Sequence, residues 1–104
     1  MPIQVRHISY VIAAADHGSF RRAAAALGVQ ESAISRRIRE LEDRLGTTFF
    51  IRSSGGVKLT HAGKQFVLRG RKALSEIGMA KAEVAAIGRG EDGHVRIGIF
   101  SSLA

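Results

Sequence analysis

Apolar positions recur at helical spacing over most of the chain and change to a β-type pattern in a few short stretches. Ile8, Val11, Ile12 and Ala15 fall on one helical face, which predicts a first helix near residues 3–17, ended by Gly18. Ser19 stands where a hydroxyl caps the next helix, Phe20 to Leu27, which is alanine-rich from Ala23 to Ala26 and stops at Gly28. Only Gly28, Val29 and Gln30 separate it from a third helix, about Glu31 to Leu45, closed by Gly46. In that helix Ile34, Ile38, Leu41 and Leu45 make one apolar stripe. Residues 48–52 and 57–59 are β-prone and flank the turn Ser53-Ser54-Gly55-Gly56, which reads as a short hairpin. Thr60 is placed to cap a long fourth helix, His61 to about Ile87, uninterrupted because the only proline is Pro2. Gly88 to Gly93 is a flexible break, and His94 to Phe100 alternates as a strand does, with Val95, Ile97 and Ile99 on one face. One such strand cannot stand alone, so the chain is expected to end where a larger domain begins.

Two short helices joined by a three-residue turn containing glycine form a helix-turn-helix. Ala24 sits where such helices cross, and Ala23, Leu27, Val29 and Ile34 are expected to supply the apolar contact between them. The opposite face of the third helix decides what the unit reads. At about 100° per residue, Ser32, Arg36, Arg39 and Asp43 lie across the rod from the aliphatic stripe, with Ser35 on the flank and Gln30-Glu31 at the start. Arginine pairs bidentately with guanine O6 and N7, and serine bonds bases or phosphate, so this face suits a major groove. The plainer alternative is a solvated face closed by intrahelical pairs such as Arg36–Glu40 and Arg39–Asp43. Beside it, Arg52 and Lys58 flank the Gly-Gly tip of the hairpin and Ser53 and Ser54 offer hydroxyls, as a wing against the DNA backbone would. For the two serines, an ordinary polar hairpin accounts for the residues equally well.

Charge points the same way. Sixteen Lys+Arg against nine Asp+Glu give a net charge of +7 in 104 residues. The excess is spread, with nine basic and five acidic groups in residues 1–60 and seven and four in residues 61–104. A basic disordered tail would concentrate it. The partner expected is therefore a polyanion met by a folded surface. With no cysteine, thiolate zinc sites, iron–sulfur clusters and disulfide scaffolds are excluded. No apolar run approaches a membrane span, and Arg6, His7 and Asp16 break the N-terminal stretch unlike a secretory leader, so a cytoplasmic protein is expected.

No catalytic arrangement stands up. Gly88-Arg89-Gly90-Glu91-Asp92-Gly93 matches G-x-G-x-x-G, but a helix precedes it and a strand follows, the reverse of a dinucleotide site. His7, His17, His61 and His94 lack metal-ligand spacing and read as helix-end or surface residues. Glu42-Asp43 and Glu91-Asp92 are adjacent and diverge, and no Ser–His–Asp order is arguable. The chain is read as a non-enzyme needing no cofactor or metal.

The fourth helix carries a second signal. Phe66, Gly70, Ala73, Ile77, Ala80, Val84 and Ile87 recur at alternating spacings of four and three, a coiled-coil seam. Packing on its own domain is the simpler reading for residues 61–70. It is hard for residues 75–87, because the helix is roughly 40 Å long. A homodimer through Phe66, Ala73, Ile77, Ala80, Val84 and Ile87 is expected.

The stretch GSFRRAAAALGVQESAISRRIRELEDRLGTTFFIRSSGGVKLTHAG, ending at Gly63, resembles the N-terminal domain of LysR-type transcriptional regulators, and the likeness runs from residue 3 to about residue 100. The family pattern GSFxxAAxxLxxSQxAxSxxIxxLExxLGxxLFxRxxxxxxLTxAG is matched at most fixed positions. The resemblance implies a mainly α winged helix-turn-helix (residues 1–60), a linker and dimerisation helix (61–88), and a hinge with the first strand of an effector-binding domain (89–104). It implies groove contacts at Ser32, Ser35 and Arg36, a wing contact at Arg52 and phosphate contacts at Ser19 and Arg22. It also implies an antiparallel homodimer on a pseudo-palindromic operator, a tetramer in a full-length protein, and a small-molecule effector held by a domain beyond Ala104. Three positions depart from the pattern: Gln30-Glu31-Ser32 replaces Ser-Gln-Pro or Ser-Gln-Ser, Gly55 stands at an often basic wing position, and Ile51 replaces a common acidic residue. The departure at Glu31 leaves one competing reading, a dimerising interaction module whose helix-turn-helix no longer reads DNA.

Overall fold

The computed structural model describes residues 2–90, so the strand expected at 94–100 lies outside the described residues. The elements run α1 (Val5–His17), α2 (Phe20–Leu27), α3 (Glu31–Leu45), β1 (Phe50–Ser53), β2 (Gly56–Leu59) and α4 (His61–Gly88). Gly18, Gly28 and Gly46 end the first three helices in the left-handed region, as C-terminal glycines do. The Ser19 hydroxyl accepts from the Arg22 N–H at 3.1 Å and caps α2. The Thr60 hydroxyl accepts from the Gly63 N–H at 3.0 Å while donating to the Thr48 carbonyl at 2.7 Å. One side chain thus starts α4 and ties it to the approach of β1.

The core lies where α1, α2 and α3 meet. Val11 and Ala14 from α1, Ala23 from α2, and Ile34, Ile38 and Leu41 from α3 are completely buried. Phe49, Phe50 and Val67 close it from the hairpin and α4. Truncating a fully buried isoleucine or leucine to alanine costs about 2–5 kcal/mol, so Ile34, Ile38 and Leu41 hold α3 in place. Two expected core residues stay outside. Leu45 is the last residue of α3 and is exposed. Leu27 is also exposed, because Ala23 and Ala24 make the α2 crossing and leave it beyond. It lines an open groove of about 510 Å³ with Val5, Tyr10 and Val29.

The hairpin is tighter than expected. β1 and β2 pair antiparallel from Phe50↔Leu59 to Ser53↔Gly56, so Ser53 and Gly56 are strand residues and only Ser54-Gly55 forms the loop. Gly56 has φ +126°, and a Cβ there would overlap the Gly18 carbonyl oxygen. That carbonyl accepts the Val57 N–H at 3.0 Å, which sews the hairpin to the corner between α1 and α2. At the other end, the Glu42 carboxylate accepts the Phe49 N–H at 2.8 Å and joins α3 to the start of the hairpin.

His7, expected as a helix-end or surface residue, stands in the first turn of α1 but not at the surface: only 1% of it is exposed. Its Nδ1 accepts the Gln4 N–H at 2.9 Å at the start of α1, and its Nε2 faces the Glu40 carboxylate at 3.9 Å. The described residues divide into two units between Leu74 and Ser75, so the first half of α4 belongs with the helix-turn-helix and hairpin.

Candidate nucleic-acid interface

Ile34, Ile38 and Leu41 of the aliphatic ridge of α3 are buried, and the face opposite them, Ser32, Arg36, Arg39 and Asp43, is exposed. Ser35 is half-buried on the flank; Gln30 and Glu31 are exposed at the start. The internal pairing that would reduce this face to a solvated one is not the one formed. Glu40 accepts from Arg37 at 3.4 Å, a residue to the side of the face. Among the described residues, neither Arg36 nor Arg39 has an ion-pair partner. Their guanidinium donors are therefore uncommitted on a helix whose opposite side is fixed.

At the start of α2, Ser19 spends its hydroxyl on capping, and Arg22 is exposed one turn on. Arg21, which the sequence patterns did not single out, is also exposed and lines a shallow groove of about 480 Å³ with Ala25, Gly28, Gln30 and Glu31. Its signal was present as one half of an Arg-Arg pair opening the helix before the turn.

The wing is asymmetric. Ile51 stands opposite Lys58 and Arg52 opposite Val57, so Arg52 and Lys58 project from opposite faces of the hairpin rather than together at its tip. The Arg52 guanidinium lies 4.5 Å from the centroid of the Phe20 ring. Phe20 is itself held edge-on to Phe50, with centroids 5.4 Å apart and planes at 87°. A cation over an aromatic face gains about 0.5–1 kcal/mol when exposed, and here it orients the wing arginine against the start of α2. The Ser53 hydroxyl bonds the Gly56 carbonyl at 3.4 Å and so serves the hairpin.

The seam residues of α4 divide. Phe66 stacks on Phe49 with centroids 4.8 Å apart. Gly70 is buried so closely against Ile8 and Ile12 that a Cβ would meet the Ile8 methyl at 2.9 Å. Both are therefore engaged within their own chain, and Ala73 is half-buried. In the second unit Ile77 is half-buried, whereas Ala80, Val84 and Ile87 are exposed, Val84 to 68%. No helix among the described residues is long and apolar enough to cross a membrane. No group of three or more His, Asp or Glu side chains among the described residues is placed to hold a metal ion.

Residues 5–64 match the bacterial regulatory helix-turn-helix proteins of the lysR family. Over 102 residues the chain is 39% identical to the protein named uncharacterized HTH-type transcriptional regulator YnfL of Escherichia coli (strain K12), covering 98% of this chain and 34% of that one. The chain spans about a third of the length of curated relatives such as this. The structure of the CbnR DNA-binding domain in complex with DNA matches with a TM-score of 0.77 at 32% identity, covering 83% of this chain and 99% of that one. The complex of the BenM DNA-binding domain with catB site 1 DNA matches with a TM-score of 0.80 at 31% identity, covering 83% and 96%. The chain belongs to the lysR family of bacterial regulatory helix-turn-helix proteins, and its winged helix-turn-helix is a DNA-binding domain of that family.

Proposed function

We propose that this chain reads a specific sequence in double-stranded DNA as a homodimer and directs a cytoplasmic transcriptional regulator to a pseudo-palindromic operator. The observation that carries the reading is the face of α3, where Arg36 and Arg39 stand exposed and unpaired opposite the fully buried Ile34, Ile38 and Leu41. With α3 in the major groove, Ser32, Ser35 and Arg36 reach base edges or the flanking phosphates, and Arg39 serves the far side of the groove. Ser19, Arg22 and Arg52 serve the backbone, which sets register and affinity without carrying sequence information; Lys58, on the other face of the hairpin, and Ser53, bonded within it, add to the basic and polar surface of the wing. Residues 1–60 form the reading unit, 61–88 the linker and dimer helix, and 89–104 the approach to an effector-binding domain. Ala73, Ile77, Ala80, Val84 and Ile87 form the dimer seam, with Phe66 buttressing its start from within the chain. Two copies place two α3 helices about one turn of DNA apart, or a multiple of that.

A salt titration on selected and random duplexes tests this. Counterion release makes binding to both weaken with salt, whereas only the selected site keeps an added affinity of about 10³-fold or more. Arg36→Ala should cost about 1–3 kcal/mol on the selected site. Equal binding of selected and random duplexes would leave only a basic surface that dimerises.

A further inference from the structure

Glu31 is the first residue of α3, exposed and next to Ser32 at the end of the helix that a helix-turn-helix inserts first. A carboxylate in that place needs a reason, because both walls of the groove are phosphate. It has no hydrogen bond or ion pair with any described residue; Arg21 shares its groove without coming within ion-pair distance. Gln30 ahead of it makes no side-chain capping bond. Glu31 and Ser35 are one turn apart, so they present their groups along the same line of the helix.

An ionised carboxylate is an acceptor only. Of the major-groove edges, guanine shows two acceptors and thymine an acceptor and a methyl group, so both repel or ignore it. Adenine shows a donor beside the N7 acceptor. Cytosine alone offers an amino donor with no acceptor of its own beside it. We propose that Glu31 is a specificity-determining residue that selects a C·G pair in each half-site by accepting from the cytosine amino group. The inference rests on the DNA-reading role of α3 proposed above. The same charge disfavours every other sequence, since an unmet carboxylate near phosphate is repelled, so Glu31 lowers non-specific binding as it selects.

The helix dipole supplies a competing role, because an acidic residue in the first turn stabilises a helix whatever it faces. Site selection from a random duplex pool separates the two, using the chain and its E31Q variant, which keeps the shape and supplies a donor as well as an acceptor. The chain should select a fixed cytosine at one symmetric position of each half-site, and E31Q should select adenine there, since a Gln amide pairs with adenine N6 and N7. On the parent site, E31Q should lose about fivefold or more in affinity. The same consensus from both proteins, or a uniform gain in affinity for E31Q on all duplexes, would overturn the assignment while leaving DNA reading intact. No consensus from either protein would overturn both.

Discussion

Replacing Gly56 by alanine should detach the wing. Three features make the site intolerant. Its φ of +126° is a backbone conformation that L residues rarely adopt, the new Cβ would overlap the Gly18 carbonyl oxygen, and the Val57 N–H bond to that carbonyl, 3.0 Å long, would be stretched or lost. Strain of this kind costs about 1–3 kcal/mol, and a lost hydrogen bond adds about 0.5–1.5 kcal/mol. The sum, about 2–4 kcal/mol, corresponds at roughly 4–8 °C per kcal/mol to a fall in Tm of at least about 8 °C for a domain of this size. Thermal and urea unfolding followed by circular dichroism would measure it. Gly55→Ala is the control, since a Cβ there meets nothing nearer than the Ser53 hydroxyl at 4.0 Å and the backbone is not in the left-handed region. That variant should stay within about 0.5 kcal/mol of the parent. Equal stability of the two alanine variants would refute the view that the wing is fixed to the α1–α2 corner at Gly18.

Two further perturbations separate the dimer from the body. Ile77→Asp should shift sedimentation from dimer to monomer with an unchanged helical spectrum, whereas a persisting dimer would remove this part of α4 from the seam. Asp16 accepts a hydrogen bond from Arg71 and joins the end of α1 to α4. That bond, followed by opposing desolvation and then by the guanidinium charge, holds the carboxyl below its ordinary value of 3.8. A depressed carboxyl stabilises the fold above its unfolded-state pKa and loses that contribution as pH falls through its folded-state pKa. Urea unfolding should therefore show the parent more stable than Asp16→Asn at pH 6, with the two converging as the solution is acidified below the ordinary carboxyl range. A constant difference down to pH 2.5 would assign the effect to something other than this charge. Both groups are about half exposed, so salt should shrink the gap.

What was legible in the sequence was whatever depends on neighbours within a turn or two. The bounds of α2 and α3 follow from Ser19, Gly28 and Gly46, because caps and left-handed glycines act on the adjacent backbone alone. The exposed face of α3 follows from spacing for the same reason. The hairpin strands run one residue further than expected at each side of the turn, because Ser53 and Gly56 have turn-like propensities yet meet each other across the ladder. Contacts between distant residues were not legible. Arg52 reaches Phe20 only through the fold, and this contact turns two loosely paired wing cations into one oriented arginine and one on the far face. Glu42 stands beside Asp43 with no sequence sign of a partner, and the fold brings the Phe49 N–H to its carboxylate. His7 carries no local sign of burial; the fold encloses it and brings Glu40 of α3 to 3.9 Å from its Nε2. Phe66 and Gly70 fit a dimer seam by spacing, but stacking on Phe49 and packing on Ile8 engage them first.

Methylation interference on the selected duplex is the most direct test of α3 as the reading element. Methylating guanine N7 in the major groove removes an acceptor that Arg36 would use and adds bulk where the helix would sit. Methyl groups at guanines within the half-sites should exclude those duplexes from the bound fraction, and Arg36→Ala should lose that sensitivity at one guanine per half-site. Interference confined to minor-groove adenine N3, or none at all, would contradict the placement of this face in the major groove.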